Sequence, residues 1–181
     1  MKHQSPVTKK ALLLHGIWHS FLFSFPFSPI VYFILYLSSS RFKHWAVSFK
    51  ILACVGSILL PTILFMIIPI LGIQKIKKQE KLTGADFDWD MQDIRLNGLV
   101  LKPYHHFRNH LWVCFLSGPT ISVINRSCFQ DFFVYQSASY YGQRAGIEIT
   151  GRMRDGKTIN FAVSKNNMDF NNVHSFLYPK P

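Results

Sequence analysis

The residues most able to do chemistry lie in one stretch, Tyr104-His105-His106-Phe107-Arg108-Asn109-His110, with Cys114 just behind it. His106 and His110 are four apart, which on a helix would set two imidazoles on one face. A zinc ion needs three or four such ligands in a closed geometry. Pro103 and the strand-like segments on either side argue for a loop, so His105, His106, His110 and Cys114 are read as exposed or hydrogen-bonded side chains, not as a metal centre. The acidic residues offer no more. Asp131, Glu148, Asp155 and Asp169 show no pairing suited to acid–base work: Asp155 reads as part of a turn, Asp169 as a helix start, and Glu148 as a polar-face residue near Arg152. Residues 86–93 (DFDWDMQD) alternate Asp with Phe87, Trp89 and Met91 but lack the Gly and distal Glu of a calcium loop. They are expected to form an edge strand or an aromatic anchor beside a membrane. No Gly-rich phosphate loop, G-x-S-x-G elbow or H-E-x-x-H helix occurs. The expectation is a protein with no catalytic residues and no cofactor.

Three cysteines, Cys54, Cys114 and Cys128, are too few and too odd in number for a disulfide framework. Cys54 lies inside a predicted span, where a thiol behaves as a small hydrophobe; Cys114 and Cys128 could pair in an oxidising compartment but are read as buried free thiols.

The elements that carry these residues follow from the charge pattern. All 9 acidic residues lie at Glu80 or later, whereas residues 1–79 hold nine of the 20 Lys and Arg. The net charge of +11 is therefore mostly the flank of a hydrophobic segment and not a nucleic-acid surface, which would need clustering on the folded part. Residues 11–40 and 51–74 carry no formal charge. About 20 apolar residues cross the hydrocarbon core, so both runs predict transmembrane helices. A cleaved signal peptide with residues 38–40 as its small-residue site is the rival for the first run, whose apolar region exceeds the ~7–15 residues of a signal core. Pro26, Pro29, Pro61 and Pro69 are expected to bend these helices, which lipid tolerates where neighbours satisfy the freed carbonyls.

The basic flanks also orient the chain. Lys2, Lys9 and Lys10, with Lys75, Lys77, Lys78 and Lys81, outnumber Arg41, Lys43 and Lys50 of the loop, seven to three. Both termini are therefore expected on the cytoplasmic side. Lys9, Lys10, Arg41, Lys43, Lys50, Lys75, Lys77 and Lys78 are the expected headgroup contacts. The organisation reads as a tail (1–10), span 1 (11–40), a loop (41–50), span 2 (51–74), a juxtamembrane linker (75–93), in which residues 74–81 are able to prolong the second helix until Thr83-Gly84-Ala85 breaks it, and a soluble β domain (94–178).

Within that domain, Leu96 to Leu101 reads as a strand with a bend or tight turn at Asn97-Gly98, followed by a short apolar run at 111–116, an alternating segment at 121–125, an aromatic run at 128–135 and a polar stretch at 136–144. The hairpin over 146–164 has a derivable register. A three-residue loop Arg154-Asp155-Gly156 sets Met153 opposite Lys157, Gly151 opposite Ile159, Ile149 opposite Phe161 and Ile147 opposite Val163. Ile147, Ile149, Phe161 and Val163 then share one face. A short helix closes the chain: Asn166 or Asn167 caps it, Phe170, Val173 and Leu177 form its apolar face, and Pro179 stops it.

Several strands, the late hairpin "IEITGRMRDGKTINFAV" and the closing helix "NMDFNNVHSFL", set behind a two-helix membrane hairpin, resemble small bacterial membrane proteins that carry a pleckstrin-homology-like domain. The resemblance covers residues 94–178 by element order and supplies no functional residues. It implies a partly open barrel capped by one helix, an α+β membrane protein in the bacterial inner membrane, and a role in binding or assembly. The function expected is a membrane-tethered accessory protein whose β domain binds a protein partner or lipid headgroup, with the bilayer itself and a possible homo-oligomer as partners. A small oligomeric channel built from the bent helices and a metal-dependent enzyme are the alternatives.

Overall fold

The computed structural model describes residues 4–38, 47–136, 146–153 and 156–178. The elements run β1 (Gln4–Pro6), α1 (Lys9–Ser24), a 3-10 turn (Phe25–Phe27), α2 (Ser28–Ser38), α3 (Val47–Thr83), α4 (Phe87–Asp90), β2 (Arg95–Asn97), β3 (Tyr104–Arg108), β4 (Trp112–Ser117) and β5 (Thr120–Asn125). A second 3-10 turn (Arg126–Cys128) leads to β6 (Phe129–Gln136), β7 (Ile147–Met153), β8 (Thr158–Val163) and α5 (Phe170–Leu177). The class is α+β, with the long helices followed by three small antiparallel sheets ordered β1-β2, β3-β4-β5 and β6-β7-β8.

Two helical stretches, Lys9–Ile34 and Lys50–Thr83, are long and apolar enough to cross a membrane, and only 17% of the most apolar window of each is buried. Thr8 starts α1, its hydroxyl accepting from the Ala11 N–H at 3.1 Å. Pro26 and Pro29 lack the N–H that would carry the helix onward, and the 3-10 turn separates α1 from α2 at that point. Helix α3 keeps going through Pro61 and Pro69. Pro69 leaves the Phe65 carbonyl without its ladder donor. The Ser20 hydroxyl of α1 takes that place at 3.1 Å, sharing its one hydrogen with Gly16 O at 2.8 Å. One turn on, Ser24 meets Thr62 hydroxyl to hydroxyl at 2.7 Å. One turn back, Gly16 lies so close to the Pro69 ring that a Cβ would collide with it. Gly16, Ser20 and Ser24 thus form a small-residue seam along which the helices close.

Strands β4 and β5 of the middle sheet have no face for water. Trp112, Cys114 and Leu116 of β4, with Ile121 and Val123 of β5, pack on Leu12 of α1, Ile73 and Ile76 of α3, Phe87, Met91 and Leu99. The alternate residues Val113, Phe115 and Ile124 pack on Phe132, Ile149, Phe161 and Val163 of the third sheet, and Val173 and Leu177 of α5 close that second core. A strand buried on both faces reads as a continuous apolar run, as residues 112–116 (WVCFL) do.

The hairpin forms in the expected register, with Ile147 opposite Val163, Ile149 opposite Phe161 and Gly151 opposite Ile159. Residues 154–155 of its loop lie outside the described residues. Gly156 has φ of +80°, its N–H reaches Met153 O at 3.0 Å, and Met153 N reaches Lys157 O at 2.7 Å. Gly151 admits the Phe129 ring, which a Cβ would approach to 2.5 Å.

Elsewhere the structure corrects the reading. Within the 75–93 segment α3 does run on, to Thr83, but with Ile76 in the core beside Ile73, so this part packs on the domain and does not merely link to it; α4 replaces the expected edge strand. Asp86 starts that single turn by accepting from Asp88 N, which buries Phe87 edge-on against Trp112 at 5.2 Å. Residues 4–6 are not a free tail but pair with β2. Of the bend or tight turn expected at Asn97-Gly98 the structure has the turn, with Gly98 at φ +65°, and residues 99–101 follow it without extending β2. The 104–108 segment is a strand and not a loop. Helix α5 begins at Asp169, without a side-chain cap bond. Asn167 is used otherwise: its amide donates to His105 O and Leu116 O, each at 2.7 Å, tying down the ends of β3 and β4. Most of the 41–50 loop, nearly all of the 136–144 stretch, most of the 38–40 site and Pro179 lie outside the described residues.

One buried side chain joins α3 to the middle sheet. Gln79, fully buried, donates to Val123 O at 2.9 Å and accepts from Asn125 N at 2.7 Å. Its amide stands where the next strand's peptide group would stand, so the edge of β5 is paired by a helix. Replacing Gln79 by Leu orphans a buried carbonyl and a buried N–H, at about 1–3 kcal/mol each. Thermal unfolding in mild detergent should show that loss for Gln79→Leu, with Gln79→Glu no better because it offers Val123 O no donor; wild-type stability in Gln79→Leu would refute the pairing.

Candidate functional site

The helices enter the β domain through two polar assemblies. The outer one is built on Lys9, the first residue of α1. Its ammonium lies 2.6 Å from Glu80 Oε1, 3.4 Å from Asp86 Oδ1 and 3.6 Å from Asp88 Oδ2. Its backbone N–H donates to Asp88 Oδ1 at 2.6 Å, so a carboxylate also meets the positive end of the helix dipole. Glu80 Oε1 accepts in addition from Phe87 N at 2.9 Å. The start of α1, the end of α3 and the α4 turn are thus tied at one point. The Asp88 N–H, followed by Lys9, holds the Asp86 carboxyl below its ordinary value.

The inner assembly is a group of three histidines. His15 and His19 lie one turn apart on α1, fully and almost fully buried, with ring centroids 4.4 Å apart. His105 of β3 meets His15 edge-on at 6.2 Å. Carbonyls of the 98–102 turn orient the rings: His15 Nδ1 lies 2.7 Å from Leu99 O, and His105 Nε2 lies 3.3 Å from Gly98 O. A carbonyl only accepts, so His15 carries its hydrogen on Nδ1 and presents the bare Nε2 lone pair when neutral. The Nε2 atoms of His15 and His19 have no hydrogen-bond partner among the described residues. Burial, with Lys102 nearby, holds the His105 imidazole below its ordinary value. A cavity of about 420 Å³ opens beside His19, walled by Leu22, Pro103, Tyr104 and Gly118.

The four sequence candidates for a metal centre are dispersed. His105 and His106 are neighbours on β3 and so project to opposite faces. The His106 ring meets Phe176 at 5.6 Å, and His110 lies in the turn before β4, its carbonyl accepting from Arg126. Cys114 is buried opposite Phe107 in the first core, and burial drives its thiol well above the usual range; burial likewise holds Cys128 at about 11. No group of three His, Cys, Asp or Glu among the described residues is arranged to hold a metal ion. The headgroup candidates divide. Lys10, Lys77 and Lys78 are exposed, whereas Lys9 is turned inward to three carboxylates and Lys75 donates to Asn160 O at 2.9 Å. Lys50 begins the apolar stretch of α3, and Arg41 and Lys43 lie outside the described residues.

His15 and His19 fall within the first apolar run and Gln79 within the expected linker, and the structure makes all three core groups. Their i,i+4 spacing flagged the two histidines; nothing local flags a partner about ninety residues on.

No family model, curated protein or solved structure matches the chain.

The ionic knot has a measurable sign. Its principal pair is about four-fifths covered from water, so Lys9→Met should cost roughly 1–2 kcal/mol at neutral pH, with three carboxylates left facing one another. Asp86 sits below its unfolded value, so its contribution is present above the ordinary carboxylate range and is lost as pH falls through it. Unfolding temperatures of wild type and Lys9→Met should therefore converge toward acid pH. A gap that widens on acidification contradicts this assignment.

Proposed function

We propose that this chain is a non-enzymatic accessory protein of the bacterial inner membrane. In this reading α1–α2 and α3 cross the bilayer, and the β domain stands at the cytoplasmic surface to bind a protein partner or a lipid headgroup. The observation that carries the reading is an outward-facing apolar belt. Beyond the β domain, roughly residues 20–38 and 47–68 supply close to 30 Å of helix at 1.5 Å per residue, the thickness of a hydrocarbon core. Leu37, Leu52 and Ile63 are each about two-thirds exposed there, and Phe33, Leu60 and Leu64 nearly as much. Soluble monomers rarely show apolar patches above a few hundred Å².

The lysine imbalance, seven against three, favours the domain end as cytoplasmic. Two three-stranded meanders closed by one helix support the likeness to a pleckstrin-homology-like domain, by element order. The seam between α1 and α3 favours an anchor over a pore, because Ser24 and Thr62 bond each other and Ser20 bonds the Phe65 carbonyl, so these hydroxyls are engaged between the helices.

Cys54 tests the central point, since it is exposed on α3 while Cys114 and Cys128 are buried. In native membranes a water-soluble maleimide should leave Cys54 unlabelled, and the chain should stay in the pellet after alkaline carbonate washing. Prompt labelling of Cys54 and a soluble chain would remove the membrane reading.

A further inference from the structure

A second cavity, also of about 420 Å³, lies on the other side of α3, between that helix and the facing edges of β5 and β8. Its size is that of a small-molecule site. Its wall changes character along α3. Ile68 and Leu71 line the end nearest the apolar belt, and Ile121, Phe161 and Val163 continue that lining. Ile68 is the last residue of the belt and Leu71, half-exposed, continues its apolar surface one turn on, so the groove and the proposed lipid-facing surface are continuous. One turn farther into the domain stands Lys75. Its ammonium has three hydrogens, one of which goes to Asn160 O, and it lies 5.5 Å from the centre of the Phe161 ring. Glu148, opposite Ala162 in the β7–β8 ladder, lines the same cavity and supplies the opposite charge. Gly72 keeps the floor open and close-packed, since a Cβ there would come within 2.8 Å of Ile121.

We propose that this groove binds one glycerophospholipid from the adjoining leaflet, with a headgroup that carries both a phosphate and a primary ammonium. The proposal rests on the membrane reading above. An acyl-glycerol body fits the apolar end, where it need not leave the bilayer's apolar layer. The phosphate meets Lys75 as a charge-assisted hydrogen bond, and the ammonium meets Glu148. A purely anionic headgroup satisfies Lys75 but faces Glu148 as a like charge, and a quaternary ammonium has no hydrogen to donate to it. The pairing of one cation and one anion on the wall therefore selects the headgroup.

The test is native mass spectrometry of the full-length chain, reconstituted in nanodiscs of mixed phosphatidylethanolamine, phosphatidylglycerol and phosphatidylcholine and then released into mild detergent. One phosphatidylethanolamine per chain should be retained above its share of the mixture. Ala162→Trp fills the groove from an exposed position on β8 and should lower that occupancy by roughly tenfold without shifting thermal unfolding. Glu148→Lys should transfer the preference to phosphatidylglycerol. A chain that enters nanodiscs but retains no lipid overturns the inference alone, as does equal retention in Ala162→Trp or retention indifferent to headgroup. A chain that never enters nanodiscs overturns the membrane reading on which the inference stands.

Discussion

The structure depends on a sheet that has to be covered twice. Strands β4 and β5 send Trp112, Leu116, Ile121 and Val123 to one side and Val113, Phe115 and Ile124 to the other, all of them buried. Only the second side is covered by the domain's own later strands and α5. The first is covered by the ends of α1 and α3 and by the α4 turn. Fully burying a large apolar side chain is worth about 1.5–3 kcal/mol, so four of them rival the 5–15 kcal/mol that holds an entire domain folded. The helices therefore act as a wall of the domain, in addition to whatever they do farther along.

Other features follow from that wall. An α-helix laid along a strand edge cannot continue the ladder, so β5 needs a substitute partner, which Gln79 supplies. Gly72 brings α3 to within contact of Ile121, and Gly16 brings α1 against Pro69 on the same level. The Lys9 knot fixes the two helix ends to α4, and the histidine group fixes α1 to the 98–102 turn. With the helices held at several points around one sheet, the β domain has a set orientation relative to them. In the bilayer reading, that orientation places the groove beside Lys75 at the level where α3 leaves the lipid.

Local patterns were legible from sequence and long-range ones were not. The charge-free runs, the helix break at Pro26 and the hairpin register through Gly156 each depend on neighbours within a few residues, and local sequence reports such things directly, whereas α3 continues through Pro61 and Pro69. Residues 75–83 were legible as a helix extension but not as core, because Lys75, Lys77, Lys78 and Lys81 mask the Ile73, Ile76, Gln79 spacing that marks one buried helix face. The three-residue strand β1 is too short for alternation to register, and its partner lies about ninety positions away. The metal reading of His106 and His110 assumed a helix, whereas a strand directs neighbouring imidazoles apart. His15 and His19 meet by helical spacing on α1, but their meeting with His105 of β3 is a pairing no spacing rule encodes.

The most direct measurement takes residues 84–181 without the helices and records an amide proton–nitrogen correlation spectrum in aqueous buffer. If α1 and α3 are half of the first core, that fragment lacks cover for Trp112, Leu116, Ile121 and Val123, and its spectrum should be collapsed and broadened, or the fragment should aggregate. A sharp, well-dispersed spectrum from a monomeric fragment would mean that the domain folds by itself and merely hangs from its helices.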